Sequence, residues 1–406
     1  MFVKLTGNHA HPVNVNQRKS LIATIYLAVV GPAVFIIQPG FVQGLVEYNG
    51  FSEQQAGYVA SVEMWGIAIM TLLMTFISHK INWRNALVWA SLAAAAGNFL
   101  SIFTQDVILF AALRGMTGVG SGVLISLTFT IIGLTSNPDR NFGFLIMWVL
   151  VYGALGFLLM PIAYSAVGLS PVLLFFALFN LSALFFIRNL PSSGQEHLHI
   201  EEGARELPTV FKGLAIATLF IYFMAQGVIW AYLFLIGTAA EVSENSVTSG
   251  LTISQFFGIA GALTAAMLGN RFGRTRSISV GVFASIGSLV MLLGNVSPII
   301  YGVAVSIFNY AWNMTHPFML GALAMFDRSG KIVVHGIASQ MLGLAIGPAI
   351  AASLVSAGDY SSIIWVGGLL FLLSLVAIAP PLWKYQQKDA SSQSPLAKPL
   401  KCPIKN

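Results

Sequence analysis

Charge is scarce in this chain: Asp, Glu, Lys and Arg make up 8% of its 406 residues, while 56% are hydrophobic. With a mean hydropathy of +0.80, that scarcity excludes a soluble globular domain, which has too little core volume to hide so much apolar surface. Cysteine is nearly absent as well, and the single Cys402 rules out an intrachain disulfide and gives no redox signal. Other things are missing too. The sequence has no His-Glu-x-x-His helix, no paired aspartates within an apolar run and no nucleophile motif with an obvious base, which argues against an intramembrane enzyme. It has no Gly-x-x-x-x-Gly-Lys-Ser/Thr loop to hold ATP, and no repeated filter loop or ring of like charge to make a channel. No cofactor and no metal is expected. The formal charge of +6 needs no nucleic acid, because basic residues facing an anionic lipid leaflet account for it.

What the chain has in abundance is uncharged runs of membrane-spanning length. They fall at roughly 20–46, 54–78, 85–105, 107–135, 142–167, 169–188, 213–238, 246–268, 277–295, 297–325, 332–356 and 360–383. The runs are continuous, whereas a barrel strand is about ten residues of alternating character. The expectation is an all-α polytopic membrane protein with about twelve transmembrane helices. The first apolar run is too long for a signal-peptide core and lacks a small-residue cleavage site, so it is expected to stay in the mature protein.

Basic residues orient these helices. With the N-terminus placed in the cytoplasm, 19 of the 20 Lys and Arg fall in inner segments, and the outer ones read "EYNGFSE", "TQD", "GLS", "AEVSEN", "NVS" and "AGD". Both termini are therefore expected inside. The longest hydrophilic stretch between spans, "NLPSSGQEHLHIEEGARELPTV", splits them six and six. The implied organisation is a tail over 1–19, a six-helix bundle over 20–188, a cytoplasmic linker over 189–212, a second bundle over 213–383 and a tail over 384–406. "GFLLMP" (156–161) in the fifth span is echoed by "GLAIGP" (343–348) in the eleventh, and the inner loop "SHKINWRNAL" (78–87) by "GNRFGRTRSI" (269–278). Two pseudo-symmetric six-helix bundles suit a transporter that rocks about a midplane site.

The twentieth basic residue, Arg114, lies inside the fourth span, and Glu63 in the second is the other charge within any span. An arginine there costs about 2.5–3.5 kcal/mol on insertion scales, so it needs a partner. Counted from the outer ends, Glu63 is about nine residues deep and Arg114 about seven, which at about 1.5 Å per residue puts both roughly 11–13 Å in. The two can pair at one level. Such a pair is either a proton switch or a static ion pair that fixes the packing of two helices, and Arg114 could also receive a substrate carboxylate.

In the tenth span Asn309, Trp312, Asn313 and His316 fall at i, i+3, i+4 and i+7, one polar face that lipid would not tolerate. Lining a central cavity, it offers two amides, a stacking face and an imidazole able to take a second proton near neutrality. The bland alternative is interhelical hydrogen bonding. Tyr222, Gln226 and Trp230 in the seventh span and Trp148 and Tyr152 in the fifth share faces in the same way, and Gln38 and Gln255 lie at middle depth. A pocket of neutral amides and aromatic rings suits a small aromatic or amphipathic organic solute.

These features resemble the major facilitator superfamily of secondary transporters along nearly the whole chain. "GNRFGRTRSI" is similar to the family's inner-loop signature Gly-x-x-x-Asp-Arg-x-Gly-Arg-Arg, with Arg271, Gly273 and Arg274 at matching positions and Asn270 where the signature has an acid. The fourth-span signature, an arginine ahead of Gln-Gly-x-Gly, is matched in spacing by Arg114, Gly118, Gly120 and Gly122, with Thr117 at the glutamine position. The resemblance implies that these glycines and the loop residues act in conformational gating. The fifth-span antiporter signature ending in Gly-Pro is not reproduced, since Met160 precedes Pro161. The expectation is a monomeric multi-pass transporter in a bacterial inner membrane, in contact with lipid. It moves a small molecule by alternating access in exchange for protons, with proton-coupled uptake as the alternative and a non-transporting receptor or scaffold as a remote one. Compact loops and short tails fit that location.

Overall fold

The computed structural model describes residues 13–136, 138–193, 206–268, 272–326, 331–355 and 358–392. Among them the regular structure is helical. The elements are α1 (Arg18–Val30), α2 (Ala33–Ile36), α3 (Gln38–Asn49), α4 (Glu53–Ile77), α5 (Trp83–Leu100), α6 (Val107–Gly133), α7 (Pro138–Val167), α8 (Leu169–Ser182) and α9 (Leu184–Ile187). After the linker come α10 (Thr209–Trp230), α11 (Leu233–Ala239), α12 (Glu244–Leu268), α13 (Arg274–Val290), α14 (Pro298–Met325), α15 (Lys331–Leu354) and α16 (Ser361–Ser392).

Local chemistry sets several of the helix starts. Ser52 and Gln55 form a reciprocal capping box at the head of α4, Asn82 accepts from the Asn85 amide at α5, and Asp106 accepts from the Leu109 amide at α6. Gly50 closes α3 in the left-handed region at φ +71°, which a side chain would resist. At the linker, α10 begins at Thr209 behind Pro208, inside the stretch expected to be hydrophilic, and α16 continues past residue 383 into the expected tail.

Nine helices among the described residues are long and apolar enough to cross a membrane. The remaining three expected positions are also helical. The first is broken into α1, α2 and α3, the ninth is the 17-residue α13, and the tenth is α14, whose polar stripe dilutes its hydropathy. The breaks in the first position fall at Gly31-Pro32 and at Ile37, two residues before Pro39, where proline removes a backbone donor. The seventh position is likewise broken, between α10 and α11 at Ala231-Tyr232. Apolar side chains face outward along the bundle, among them Ile108 and Phe185, while serines, asparagines and glutamines are packed inside, the arrangement lipid demands.

Within the first half of the chain, α4 and α6 approach through glycine. A methyl on Gly118 would overlap the Glu63 carbonyl, one on Gly66 would overlap the Gly115 carbonyl, and one on Gly122 would sit 2.7 Å from the Ile67 carbonyl. Gly120 faces the other way, onto the Ala90 carbonyl of α5. In the second half, Gly343 and Gly347 bring α15 onto the backbone of α10 in the same manner. The halves meet where α4 packs on α15 and where α7 packs on α12.

Candidate functional site

The glycine contacts between α4 and α6 put Glu63 and Arg114 face to face. The Arg114 Nη2 donates to Glu63 Oε1 at 2.8 Å and Nε to Oε2 at 3.1 Å, a bidentate grip, while Nη1 donates to Asn98 Oδ1 on α5 at 2.7 Å. Asn98 turns its amide nitrogen to the Ala94 carbonyl at 2.9 Å, which fixes its orientation. Phe41 of α3 lies under the guanidinium, 5.1 Å from ring centre to Cζ. Arg114 is wholly buried and Glu63 all but so. Asn98 and Phe41 were not singled out from the sequence; a lone Asn in the run "LAAAAGNFL" is the signal that could have found the first.

The four residues of the α14 stripe have different neighbours. Asn309 is buried and donates to Ser254 Oγ of α12 at 3.3 Å, and it accepts from Asn313 Nδ2 at 2.9 Å. Trp312 and Asn313 are partly exposed. Trp312 meets Trp230 edge to face at 5.7 Å and has Phe308 and Phe223 around it. His316 packs edge-on against Phe223 at 4.8 Å and shares a 2.8 Å hydrogen bond with Gln340 of α15, a partner that sequence reasoning missed. Rings and amides thus line the same side of α10 and α14, with Phe157 of α7 reaching Trp230 from the first half at 5.9 Å.

The other expected residues are more scattered. Gln226 is buried on α10 beside Tyr222, and neither its amide oxygen nor its nitrogen has a hydrogen-bond partner, the same being true of the Tyr222 hydroxyl and Thr315 Oγ1. Gln255 is buried with its Oε1 against Gly153 of α7, so it reaches across the seam between halves. Gln38 is buried at the head of α3. Tyr152 stacks on Phe179 of α8, and Trp148, on the same face of α7, is 51% exposed, so this pair stands apart from the α14 stripe. Gly118, Gly120 and Gly122 serve the packing of α6 on α4 and α5. Gly273, at φ +78°, caps α13, and the Arg274 guanidinium lies beside Gly321 of α14. Arg271 lies outside the described residues.

Broken helices join the halves. At the first-position break the Phe35 carbonyl accepts from Trp230 Nε1 at 3.1 Å, and Tyr232, at the seventh-position break, donates its hydroxyl to the Glu53 carbonyl at 2.8 Å. Ser61, one turn of helix before Trp65 and two residues before Glu63, donates to the Ala345 carbonyl of α15 at 2.6 Å. Gly57 packs against Tyr232 and Ala352. The two halves are therefore in close contact at the end of the molecule that carries Glu53.

The sequence profile of the Major Facilitator Superfamily matches residues 23–330. The uncharacterised MFS-type transporter YbcL of Bacillus subtilis (strain 168) is 23% identical over 387 residues, 89% of this chain and 95% of that one. Among solved structures, a D-xylose–proton symporter superposes with a TM-score of 0.72 at 14% identity, over 89% of this chain and 97% of its own. The human organic anion transporter MFSD10 (TETRAN) superposes with a TM-score of 0.64 at 15% identity, over 89% and 99%.

Proposed function

The chain belongs to the major facilitator superfamily, a transporter family and not an enzyme family, and from that premise we propose that it carries a small aromatic or amphipathic solute across the cytoplasmic membrane by alternating access, coupled to protons. In this reading twelve helices form two six-helix bundles, over 20–188 and 213–383, with both termini and the 189–212 linker in the cytoplasm. The Glu53 end then faces outward. The alternation of Lys and Arg along the sequence supports that orientation.

One observation carries the coupling. Glu63 sits in a buried, bidentate pair with Arg114, and the same helix, two residues earlier, hydrogen-bonds across the seam to α15 through Ser61. A proton taken by the carboxylate removes its charge and loosens the guanidinium's hold on α4. The charge freed on Arg114 then demands a new partner, and the helix that moves is one of those on which the halves close. The solute site is assigned to Trp230, Trp312, Asn309, Asn313 and His316, with Gln226 and Gln255 at its margins. Rings there take an apolar or aromatic body, and amides with the His316–Gln340 pair take its polar end.

Export by proton antiport is the direction assigned, in the inner membrane of a bacterial cell. The arginine–glycine pattern of the fourth span and the ring-lined site favour it; Met160 in place of the antiporter glycine favours uptake by symport. Proteoliposomes loaded with a pH dye and offered a panel of aromatic and amphipathic metabolites test the whole reading. Substrate-driven proton movement that is lost in Glu63→Gln while substrate binding survives is the expected result, and its sign gives the direction. Unchanged proton flux in Glu63→Gln removes the pair from coupling and transfers the proton to His316.

A further inference from the structure

A groove of about 560 Å³ runs along the second half between α12 and α14, and none of the residues assigned to the solute lines it. Its floor is Gly250 and Gly302, which bring the two backbones together: a methyl on Gly250 would stand 3.3 Å from the Gly302 Cα. Its walls, Ile253 and Phe257 on α12 and Ile299 and Val303 on α14, are exposed, so the groove opens toward lipid. From Asn245 to Phe257 it follows α12 for about 18 Å at ~1.5 Å per residue. That is close to the depth of one leaflet in a hydrocarbon core about 30 Å thick.

The lining changes character along this length. Asn245, Ser246 and Ser249 stand at one end beside Pro298, while Ile253, Phe257 and Ile307 lie further in. The polar end also gathers two helix starts. Ser243 accepts from the Ser246 and Val247 amides, and Ser297 from those of Ile300 and Tyr301, which leaves the Asn245 and Ile299 amides at the mouth with no acceptor in their own helices. Exposed Glu244 heads α12 beside Asn245, and the chain has no Lys or Arg between residues 213 and 270 or between 277 and 327. Midway, Ser306 lines the groove, is only 4% exposed and has no hydrogen-bond partner among the described residues. Other buried serines of this half behave differently: Ser254, Ser285 and Ser288 each donate to a carbonyl of their own helix. A buried hydroxyl left idle beside an open space calls for an acceptor from whatever fills that space.

We propose that the groove binds one zwitterionic phospholipid with an ammonium headgroup, its phosphate at the two helix starts, an ester carbonyl at Ser306 and an acyl chain along Ile253, Phe257 and Ile307. The paired helix starts favour the phosphate. Glu244 pairs with the ammonium and disfavours a headgroup whose only charge is negative. The acyl chain fills the notch over Gly250 and Gly302 and so braces α12 against α14, the helices that carry Ser254 and Asn309. The site does not rest on the transport reading.

Native mass spectrometry of the full-length protein, delipidated in detergent and titrated with phosphatidylethanolamine or phosphatidylglycerol of matched chains, is the test. One retained phosphatidylethanolamine is expected, favoured about tenfold over phosphatidylglycerol. Gly302→Leu puts a side chain into the groove, and its first carbon would meet only the Gly250 Cα at 4.0 Å, so the fold is kept while retention falls about tenfold. Gly287→Leu, on an exposed face of α13 with nothing within 4 Å, should leave retention unchanged. Glu244→Gln should remove the preference between headgroups. Retention at parental strength in Gly302→Leu overturns the proposal, as does a parent that prefers phosphatidylglycerol or retains neither lipid. Dimers in place of lipid adducts overturn it in favour of a second copy of the chain. Substrate-driven proton flux is a separate measurement, and its failure leaves this site untouched.

Discussion

Arg114 and Glu63 form a two-bond ion pair, Nη2 to Oε1 at 2.8 Å and Nε to Oε2 at 3.1 Å, with side chains 0% and 3% exposed. Breaking it from one side leaves an uncompensated buried charge. Arg114→Ala is therefore expected to destabilise the protein by about 3–5 kcal/mol, read as a large fall in thermal unfolding midpoint. Replacing both partners with neutral side chains of similar volume, as in Glu63→Gln/Arg114→Met, should restore most of the midpoint and none of the proton coupling. A double variant as unstable as Arg114→Ala would mean that the loss came from packing and not from stranded charge.

Asn98 holds the third corner. Its Oδ1 takes the Arg114 Nη1 at 2.7 Å, and Asn98→Ala removes that acceptor while leaving the Glu63 pair in place. The stranded donor should cost about 1–3 kcal/mol, less than loss of the carboxylate. Asn98→Asp puts a second carboxylate on the same guanidinium and should partly rescue stability while altering the pH dependence of proton flux. Identical pH profiles for Asn98→Asp and the parent would show that the guanidinium environment has no part in coupling.

Much of this cluster was legible in the sequence, for a physical reason. Two lone charges in spans whose direction the Lys/Arg pattern assigns have depths that can be counted, and depth is the coordinate that a bilayer would fix. The glycines of "GMTGVGSG" likewise announce close approach, although only the structure divides them between α4 and α5. Rotation about a helix axis is not fixed by depth. Asn98 and Gln340 were therefore missed, although each lies at the level of its partner, and Tyr152 was grouped with the solute site although its ring stacks on Phe179 instead. The break at Gly31-Pro32 has a residue signature, whereas the break at Ala231-Tyr232 has none; it is held by the hydrogen bonds of Trp230 and Tyr232 to the other half.

Glycine at position 118 is a steric requirement. Gly118→Ala drives a methyl into the Glu63 carbonyl oxygen, a backbone atom that can yield only if α4 and α6 separate. Loss of folded protein or a large drop in thermal midpoint is expected, along with loss of transport. Gly133→Ala, at the end of the same helix with nothing within 4 Å, is the matched control and should be neutral. Equal loss at the two positions would show that the close approach at Gly118 does not set the cost, since alanine is the better helix former and propensity alone would favour both changes.

The Tyr232 hydroxyl closes the seam at the Glu53 end by donating to a backbone carbonyl at 2.8 Å, and Tyr232→Phe removes the donor with almost no change in volume. The ring itself remains packed, since it is fully buried beside Gly57 and near Tyr360. Loss of a single neutral hydrogen bond is worth about 0.5–1.5 kcal/mol, which shifts a two-state opening equilibrium by roughly 2- to 13-fold. Folding should survive, because the bond joins elements that part in the proposed transport cycle. A cysteine placed at Glu53 in a Cys402→Ser background reports the shift: its labelling by a membrane-impermeant maleimide should accelerate in Tyr232→Phe by that factor. An unchanged labelling rate with unchanged thermal midpoint would mean that the seam at this end is held by packing of α4 on α15 and of α3 on α11, and that the hydroxyl only satisfies a carbonyl.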